Sequence, residues 1–169
     1  LPARTDAQGQ PVLLMDQDRA RWDHLLVRRG LAALDKAEQL ARAGKPWGPY
    51  ALQGAIAACH ARARQAQDTD WPHIVALYDA LLQVAPSPVV ALNRAVAVGM
   101  AEGPAAALAL VDALASDPLL RHYHWLPSVR GDLLAKLGRG DEARAEFERA
   151  ASLTRNAQEK ALLLARACG

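Results

Sequence analysis

Apolar residues recur three or four positions apart along most of this 169-residue chain, which is the spacing of one helix face. Strict alternation of apolar and polar residues, which indicates a strand, does not extend over any convincing stretch. Alanine is abundant and favours helices because it loses no side-chain entropy on entering one. The pattern predicts eight helices, at about 17–41, 49–64, 71–84, 88–98, 104–115, 123–137 and 141–153, with the eighth starting at Asn156.

Short polar residues and glycines mark the ends of these helices. Gly99 and Gly138 are expected to end the fourth and sixth helices. Glu159, three residues after Asn156, resembles the second half of a capping box. Short side chains that can accept a hydrogen bond from a free backbone amide stand at four helix starts: Asp16 or Asp18, Asp70, Ser87 and Asn156.

One sequence pattern occurs three times, each time on the second helix of a predicted hairpin. A small or branched residue is followed by a bulky residue four positions later and an apolar residue three positions after that, so all three share one helix face. The three starts lie 33 and 36 residues apart. The members are Ile74, Tyr78 and Leu81, then Ala107, Val111 and Leu114, then Ala143, Phe147 and Ala150.

This period and pattern are typical of the second helix of a tetratricopeptide (TPR) repeat. Gly131 and Ala95 stand where the first helix of a repeat needs a small residue for close packing. The interpretation is an all-α fold of about eight helices in TPR-like antiparallel hairpins, forming a right-handed superhelix with a groove lined by first helices. An irregular helical bundle with accidental spacing is the alternative. We expect an extended arm at 1–15, with Val12, Leu13 and Leu14 docked, and one repeat domain at 16–169.

The charge pattern excludes some classes of function. The formal net charge is +2 and the two signs are interspersed, whereas a nucleic-acid reader clusters its basic residues. The chain lacks an apolar run of the ~20 residues that span a bilayer and a segment typical of a signal peptide. We therefore expect a cytoplasmic protein that does not bind DNA directly. The chain starts with Leu1 and not Met, so we expect it to be part of a longer protein.

Three short motifs resemble metal sites, and each has a simpler interpretation. Asp16-Gln17-Asp18 lacks the remaining oxygen ligands of a calcium loop, so helix capping is favoured. His122 and His124 do not share a helix face, and neither do Cys59 and His60. The second cysteine, Cys168, is far from the first in sequence, so a zinc or redox motif is absent. We expect no metal and no cofactor.

Nucleophilic catalysis would need Ser or Cys, His and a carboxylate brought together beside an oxyanion hole. The serines of this chain stand at predicted caps and loops, and the sequence has no G-x-S-x-G segment and no phosphate-binding loop. We therefore expect no enzymatic activity.

The candidate functional residues are polar groups expected on first helices, facing the groove. Asn93 and Arg94 interrupt an otherwise apolar helix, and an amide beside a guanidinium could hold a peptide backbone or a carboxylate. Equally, Asn93 could satisfy a neighbouring helix end while Arg94 is solvated. Tyr50, Gln53 and Arg130 are further candidates for the groove. We interpret the four tryptophans as core anchors in preference to binding hot spots; they are Trp22, Trp47, Trp71 and Trp125.

Several segments, in their order along the chain, resemble the C-terminal extension of bacterial extracytoplasmic-function (ECF) sigma factors. Arg4-Thr5-Asp6 resembles the junction that precedes this extension in the family. The resemblance covers essentially the whole chain, and its motifs are specific only in combination. The segments are LLMDQDRARWD at 13–23, GPYALQGAIAACH at 48–60, DTDWP at 68–72, SPVVALNRAVA at 87–97 and LTRN at 153–156.

The resemblance implies a regulatory, protein-binding extension of a transcription-initiation factor. The promoter-reading residues of the family lie in sigma regions outside this chain, so the fragment is not expected to read promoters. The implied partners are the RNA polymerase core, the sigma regions of the same longer chain, or a cytoplasmic regulator protein. The alternative is a stand-alone TPR scaffold that binds peptide segments of cytoplasmic proteins.

Overall fold

A computed structural model describes residues 12, 17–42, 44, 46–63 and 65–168, with the side chains of 38, 40–42 and 66 left out. Every regular element in these residues is helical and none is a strand, which confirms the all-α prediction. The eight α-helices are α1 (His24–Arg42), α2 (Pro49–Arg62), α3 (Trp71–Val84), α4 (Pro88–Ala101), α5 (Pro104–Leu114), α6 (Trp125–Lys136), α7 (Gly140–Leu153) and α8 (Ala157–Ala167).

The helices belong to two compact units, which divide between Ala85 and Pro86. In the first unit α2 packs against α1 and α3, and in the second each of α4 to α7 packs against the next helix along the chain. Short connections between helices in contact make antiparallel hairpins. The architecture is therefore compatible with helical-hairpin repeats. The single domain expected at 16–169 stays a prediction.

The repeat pattern identified in the sequence forms the core of these hairpins. On α5 and α7, Ala107, Val111 and Ala150 are completely buried, and Phe147 is 2% exposed. On α3, Ile74 and Leu81 are buried as well. Tyr78 and Leu114, which complete the pattern, are half-buried. The helix faces that the repeat predicted are thus the faces that pack.

Gly131 confirms the small-residue requirement of a first helix. A Cβ atom at this position of α6 would come within 2.8 Å of Cε1 of Phe147 on α7. Ala95 of α4 is completely buried, as its place in the middle repeat required. Small residues therefore let α6 approach α7, where a larger side chain would separate the helices.

The first helix was predicted wrongly at its start. A 3-10 turn, Arg19–Arg21, stands where the helix was expected to begin, and the Asp18 side chain caps it. Trp22 is extended, with φ −71° and ψ 152°, which interrupts the helical path. The α-helix then starts at His24, where the Asp23 carboxylate accepts hydrogen bonds from the amides of Leu25 and Leu26 at 3.0 Å.

The prediction that Gly99 ends the fourth helix was also wrong. The helix continues to Ala101, and Gly103, with φ 101°, follows its end. A Cβ atom at Gly99 would lie 3.0 Å from Cβ of Ala107, so this glycine serves helix packing and not termination. Gly138, with φ 74°, does end α6, since its amide and that of Arg139 bond back to the last turn of the helix.

The predicted caps had mixed outcomes. Asp70 and Asn156 both accept hydrogen bonds from backbone amides at the starts of α3 and α8, as expected. Ser87 occupies the cap position of α4, but its hydroxyl makes no capping bond. Glu159 does not complete a capping box, because its carboxylate contacts Thr154 and His124 instead.

Part of the predicted arm at 1–15 lies outside the described residues, including Leu13 and Leu14. Val12 is described and half-buried, and its carbonyl accepts a hydrogen bond from the Gln17 side chain at 3.1 Å. Among the described residues, no helix combines the length and the apolar character that a membrane span requires.

Candidate functional site

One face of α4 carries apolar side chains that the described part of the chain leaves partly exposed. Leu92, Ala95, Ala97 and Val98 are buried, and the outward face of the helix lies between Leu92 and Ala97. We call this outward face, Val89, Asn93, Val96 and Met100, the α4 stripe. Its three apolar members are 36–38% exposed and Asn93 is exposed.

Asn93 places a polar amide within the apolar α4 stripe. An amide offers two donors and an acceptor, which suits the backbone of a bound polypeptide. Its neighbour Arg94 is half-buried and already has an interaction partner. Of the two residues singled out together in the sequence, Asn93 is the more accessible.

Arg130 joins three helices of the second unit. Its Nε lies 2.8 Å from Oδ1 of Asp112 on α5, and its Nη1 lies 3.1 Å from Oε1 of Glu146 on α7. The hydrogen bond that Arg130 donates to Asp112, with the charges of both carboxylates, raises the pKa of Arg130 although burial opposes this. The Arg130 guanidinium therefore holds α5, α6 and α7 together.

Tyr50 and Gln53 lie in the first unit, on α2. Tyr50 is 88% exposed and Gln53 is exposed, so both side chains are accessible. They share neither a unit nor a described contact with Asn93 and Arg130. The structure therefore leaves their grouping into one groove as a prediction.

Arg19 is a residue that the sequence analysis did not single out. Its guanidinium donates to the carbonyls of His60 at 2.7 Å and Ala63 at 2.6 Å, and to the hydroxyl of buried Thr69 at 3.3 Å. The same group lies over the Trp22 ring, 5.3 Å from its centroid. These bonds satisfy carbonyls at the end of α2 that have no helical partner. Arg19 and Arg21 flank a single alanine, and no sequence pattern distinguishes them, so only the fold shows that Arg19 makes these contacts.

His60 lies beside this cluster in a low-polarity environment. Its ring meets that of Trp71 edge to face, with centroids 5.3 Å apart. Burial, helped by the nearby charge of Arg19, lowers the pKa of His60 below its usual 6.5. Its Nδ1 is buried without a hydrogen-bond partner in the described part of the chain. The imidazole is therefore neutral at pH 7.

The four tryptophans differ in burial, which bears on whether each is a core anchor or a binding hot spot. Trp22, Trp47 and Trp71 are half-buried. Trp125, the first residue of α6, is 46% exposed. Trp125 is thus the least covered of the four and the one most accessible to a partner.

Asp16 of the Asp16-Gln17-Asp18 motif lies outside the described residues, and the other residues that resembled metal motifs do not form a ligand set with any described residue. Within the described ranges, no three His, Cys, Asp or Glu residues come together in a way that could hold an ion. His124 pairs with Glu159 at 3.1 Å, between α6 and α8. Cys59 is buried and Cys168 is exposed, and both are free thiols. Burial raises the pKa of the Cys59 thiol, which makes it a poor nucleophile.

The fold is all-α and consists of packed helical hairpins. One of them carries an exposed apolar stripe on its first helix, α4. Residues 1–38 match the model of a family described as a family of unknown function, DUF6596. "Uncharacterized protein R00370" of Rhizobium meliloti (strain 1021) is 50% identical over 161 residues, which are 95% of this chain and 37% of that protein. The chain thus spans little more than a third of this curated relative. No solved structure matches it.

Proposed function

We propose that this chain is the C-terminal, protein-binding extension of a sigma factor of the ECF type and regulates transcription initiation. The α4 stripe is the observation that carries the binding role. Its valines and methionine offer apolar contacts, and the Asn93 amide can bond to a polypeptide backbone. The family whose model matches residues 1–38 occurs in sigma-factor-like proteins, which supports the transcription role.

The proposed partners are the RNA polymerase core and the sigma regions of the same longer protein, with a cytoplasmic regulator as a third. Since a sigma factor acts in the cytoplasm, the proposal places the chain there. The proposed mechanism is a population shift. A polypeptide bound on the α4 stripe favours the arrangement in which the sigma regions engage polymerase and promoter. The chain contributes binding free energy and no chemical step, so the proposal is a non-enzymatic one.

The experiment measures the affinity of purified RNA polymerase core for the longer protein that contains this chain. Val96→Asp places a charge at the centre of the α4 stripe, and we expect binding to weaken roughly tenfold, which corresponds to about 1.4 kcal/mol. Leu119→Asp is the matched control, because Leu119 is an apolar residue 77% exposed and lies outside the stripe. Equal affinities of the two variants would contradict the proposed docking surface.

The same variants distinguish the alternative function, a stand-alone TPR scaffold that binds peptides, from the transcription role. If the chain binds peptide tails through the α4 stripe while polymerase core and sigma regions show no affinity for it, the scaffold replaces the transcription role. Loss of peptide binding in Val96→Asp with retention in Leu119→Asp would then identify the same surface with a different partner.

A further inference from the structure

The α4 stripe has a counterpart on α6. Ala107 of α5 and Ala143 of α7 occupy the same repeat position, 36 residues apart. Ala95 of α4 and Gly131 of α6 are separated by the same interval. The same interval from each member of the α4 stripe therefore leads to the residue at the matching position of α6. We call these residues the α6 row, and its members are Trp125, Val129, Asp132 and Lys136.

The α4 stripe and the α6 row face the same side of the second unit. Both helices pack antiparallel to α5, so they run in the same direction. They meet at Gly99 and Leu133, because a Cβ atom at Gly99 would lie 3.5 Å from Cδ2 of Leu133. At about 100° per residue, the α4 stripe lies about 60–120° from Gly99 in one sense of rotation. The α6 row lies about 40–100° from Leu133 in the opposite sense. On parallel helices that face each other, opposite rotations bring both rows to one side.

The side chains of the α6 row reach the surface of the unit. Trp125 is 46% exposed and Lys136 is exposed, whereas Val129 is half-buried against the core. Tryptophan is among the residue types enriched at the energetic centres of protein interfaces. With the valines and methionine of the α4 stripe, Trp125 and Val129 form an apolar surface that spans both helices.

The charge of this surface is positive at the end of α6. The Asp132 carboxylate forms an ion pair with Arg166 of α8, and the pair carries no net charge. The Lys136 ammonium forms no ion pair or hydrogen bond within the described part of the chain. Glu102 comes two residues after Met100, about 200° further round the helix axis, and so lies away from the stripe. Among the described residues of this surface, Lys136 is therefore the free charge, and it is complementary to a carboxylate.

We propose that the α4 stripe and the α6 row form one surface that binds an apolar segment of the RNA polymerase core, with a carboxylate of that segment paired with Lys136. The polymerase partner itself rests on the proposed function, whereas the second helix and the carboxylate are new. Apolar side chains of the segment cover Trp125 and the α4 stripe, and the Asn93 amide bonds to its backbone. Since Trp125 begins α6 and Lys136 ends it, the ion pair also fixes the direction in which the segment lies.

The affinity of purified RNA polymerase core for the proposed full-length sigma factor tests the role of α6. We expect Trp125→Ala to weaken binding at least roughly tenfold, a loss of about 1.4 kcal/mol. Trp125→Phe keeps an aromatic ring and should lose less affinity. Leu25→Ala is the control, since Leu25 is 51% exposed and lies on α1. Circular dichroism of each variant shows that it is folded.

Lys136→Glu tests the carboxylate of the partner. Lys160→Glu is the matched control, because Lys160 is an exposed lysine on α8 and the change in net charge is the same. We expect Lys136→Glu to weaken binding roughly tenfold and Lys160→Glu to keep the native affinity within about twofold. The difference should narrow as KCl rises from about 0.1 M to about 0.5 M, because salt screens an ion pair at the surface.

The outcomes distinguish this surface from the proposed function. Weaker binding of Val96→Asp together with native binding of Trp125→Ala would confine the docking surface to α4 and overturn the role of α6. Equal affinities of Lys136→Glu and Lys160→Glu would overturn the carboxylate assignment. Native affinity in Val96→Asp and in the α6 variants alike would contradict the proposed function itself.

Discussion

The ring of Phe147 lies directly against the backbone of Gly131, so that a Cβ atom at residue 131 would be 2.8 Å from Cε1 and 2.9 Å from Cδ1 of the ring. The ring is 2% exposed, and the Arg166 guanidinium covers it with its carbon 4.4 Å from the ring centroid. The ring therefore has little freedom to move away. This contact between α6 and α7 explains why the repeat requires glycine here.

Gly131→Ala is expected to destabilise the second unit by about 1–3 kcal/mol, because overpacking outweighs the better helix propensity of alanine. Gly54→Ala is the control, since its added methyl group meets open space in the middle of α2. That variant should be more stable by about 0.5–1 kcal/mol. Urea denaturation of both variants gives the two free energies. A stabilised Gly131→Ala variant would refute the role of the contact.

Arg130→Met is expected to destabilise the second unit by about 1–3 kcal/mol, because it leaves the carboxylate of Glu146 without its closest cation. The Glu146 side chain is only 14% exposed, so water compensates poorly. Arg139→Met removes the exposed ion pair to Glu142 and should have little effect on unfolding free energy. Calorimetric unfolding of the two methionine variants compares them. Similar melting temperatures would show that Arg130 does not join the helices.

The lowered pKa of His60 predicts that the first unit loses stability in mild acid. Below pH 6.5 the unfolded chain takes up a proton on this imidazole more readily than the folded chain does. The contribution of His60 to the free energy of unfolding is therefore fully present above this pH and is lost as the pH falls through the lowered pKa of the folded state. His60→Phe retains a ring against Trp71 and removes the titration.

Urea midpoints at about pH 7.5 and about pH 5.5, on either side of the ordinary histidine pKa, measure this effect. Tryptophan fluorescence follows mainly the first unit, which contains three of the four tryptophans. We expect His60→Phe to lose less stability on acidification than the native chain. An equal loss in both proteins would assign the acid sensitivity to other groups.

Arg19→Lys is expected to weaken the attachment of the 3-10 turn to the end of α2. Lysine keeps the charge but lacks the planar fork that donates to two carbonyls at once. We expect a loss of about 1 kcal/mol and faster amide exchange in the last turn of α2. Arg21→Lys, at an exposed position in the same turn, should leave exchange unchanged. Equal exchange rates in the two variants would argue against the Arg19 contacts.

The elements that local chemistry determines were the ones predictable from sequence. Asp70 before Trp71 and the break after Val84 gave α3 with the bounds observed. Glycine was ambiguous, since Gly99 and Gly138 looked alike in sequence. Only the approach of Ala107 from another helix makes Gly99 a packing residue.

The candidate site was less predictable because partners come from distant positions. The place of α4 as the first helix of a repeat indicated Asn93 as a groove candidate, and its side chain is exposed. The role of Arg130 depended on Asp112 and Glu146, which no local pattern connects to it.

Promoter-specific transcription by the proposed full-length sigma factor, of which this chain would be the C-terminal extension, tests the central proposal most directly. The measurement compares the native protein with Asn93→Ala and Val96→Asp on the α4 stripe and with Leu119→Asp outside it, after circular dichroism shows equal helicity. We expect transcript yield to fall roughly tenfold in Val96→Asp, less in Asn93→Ala, and not in Leu119→Asp. Native transcript levels from both stripe variants would contradict a regulatory docking surface on α4.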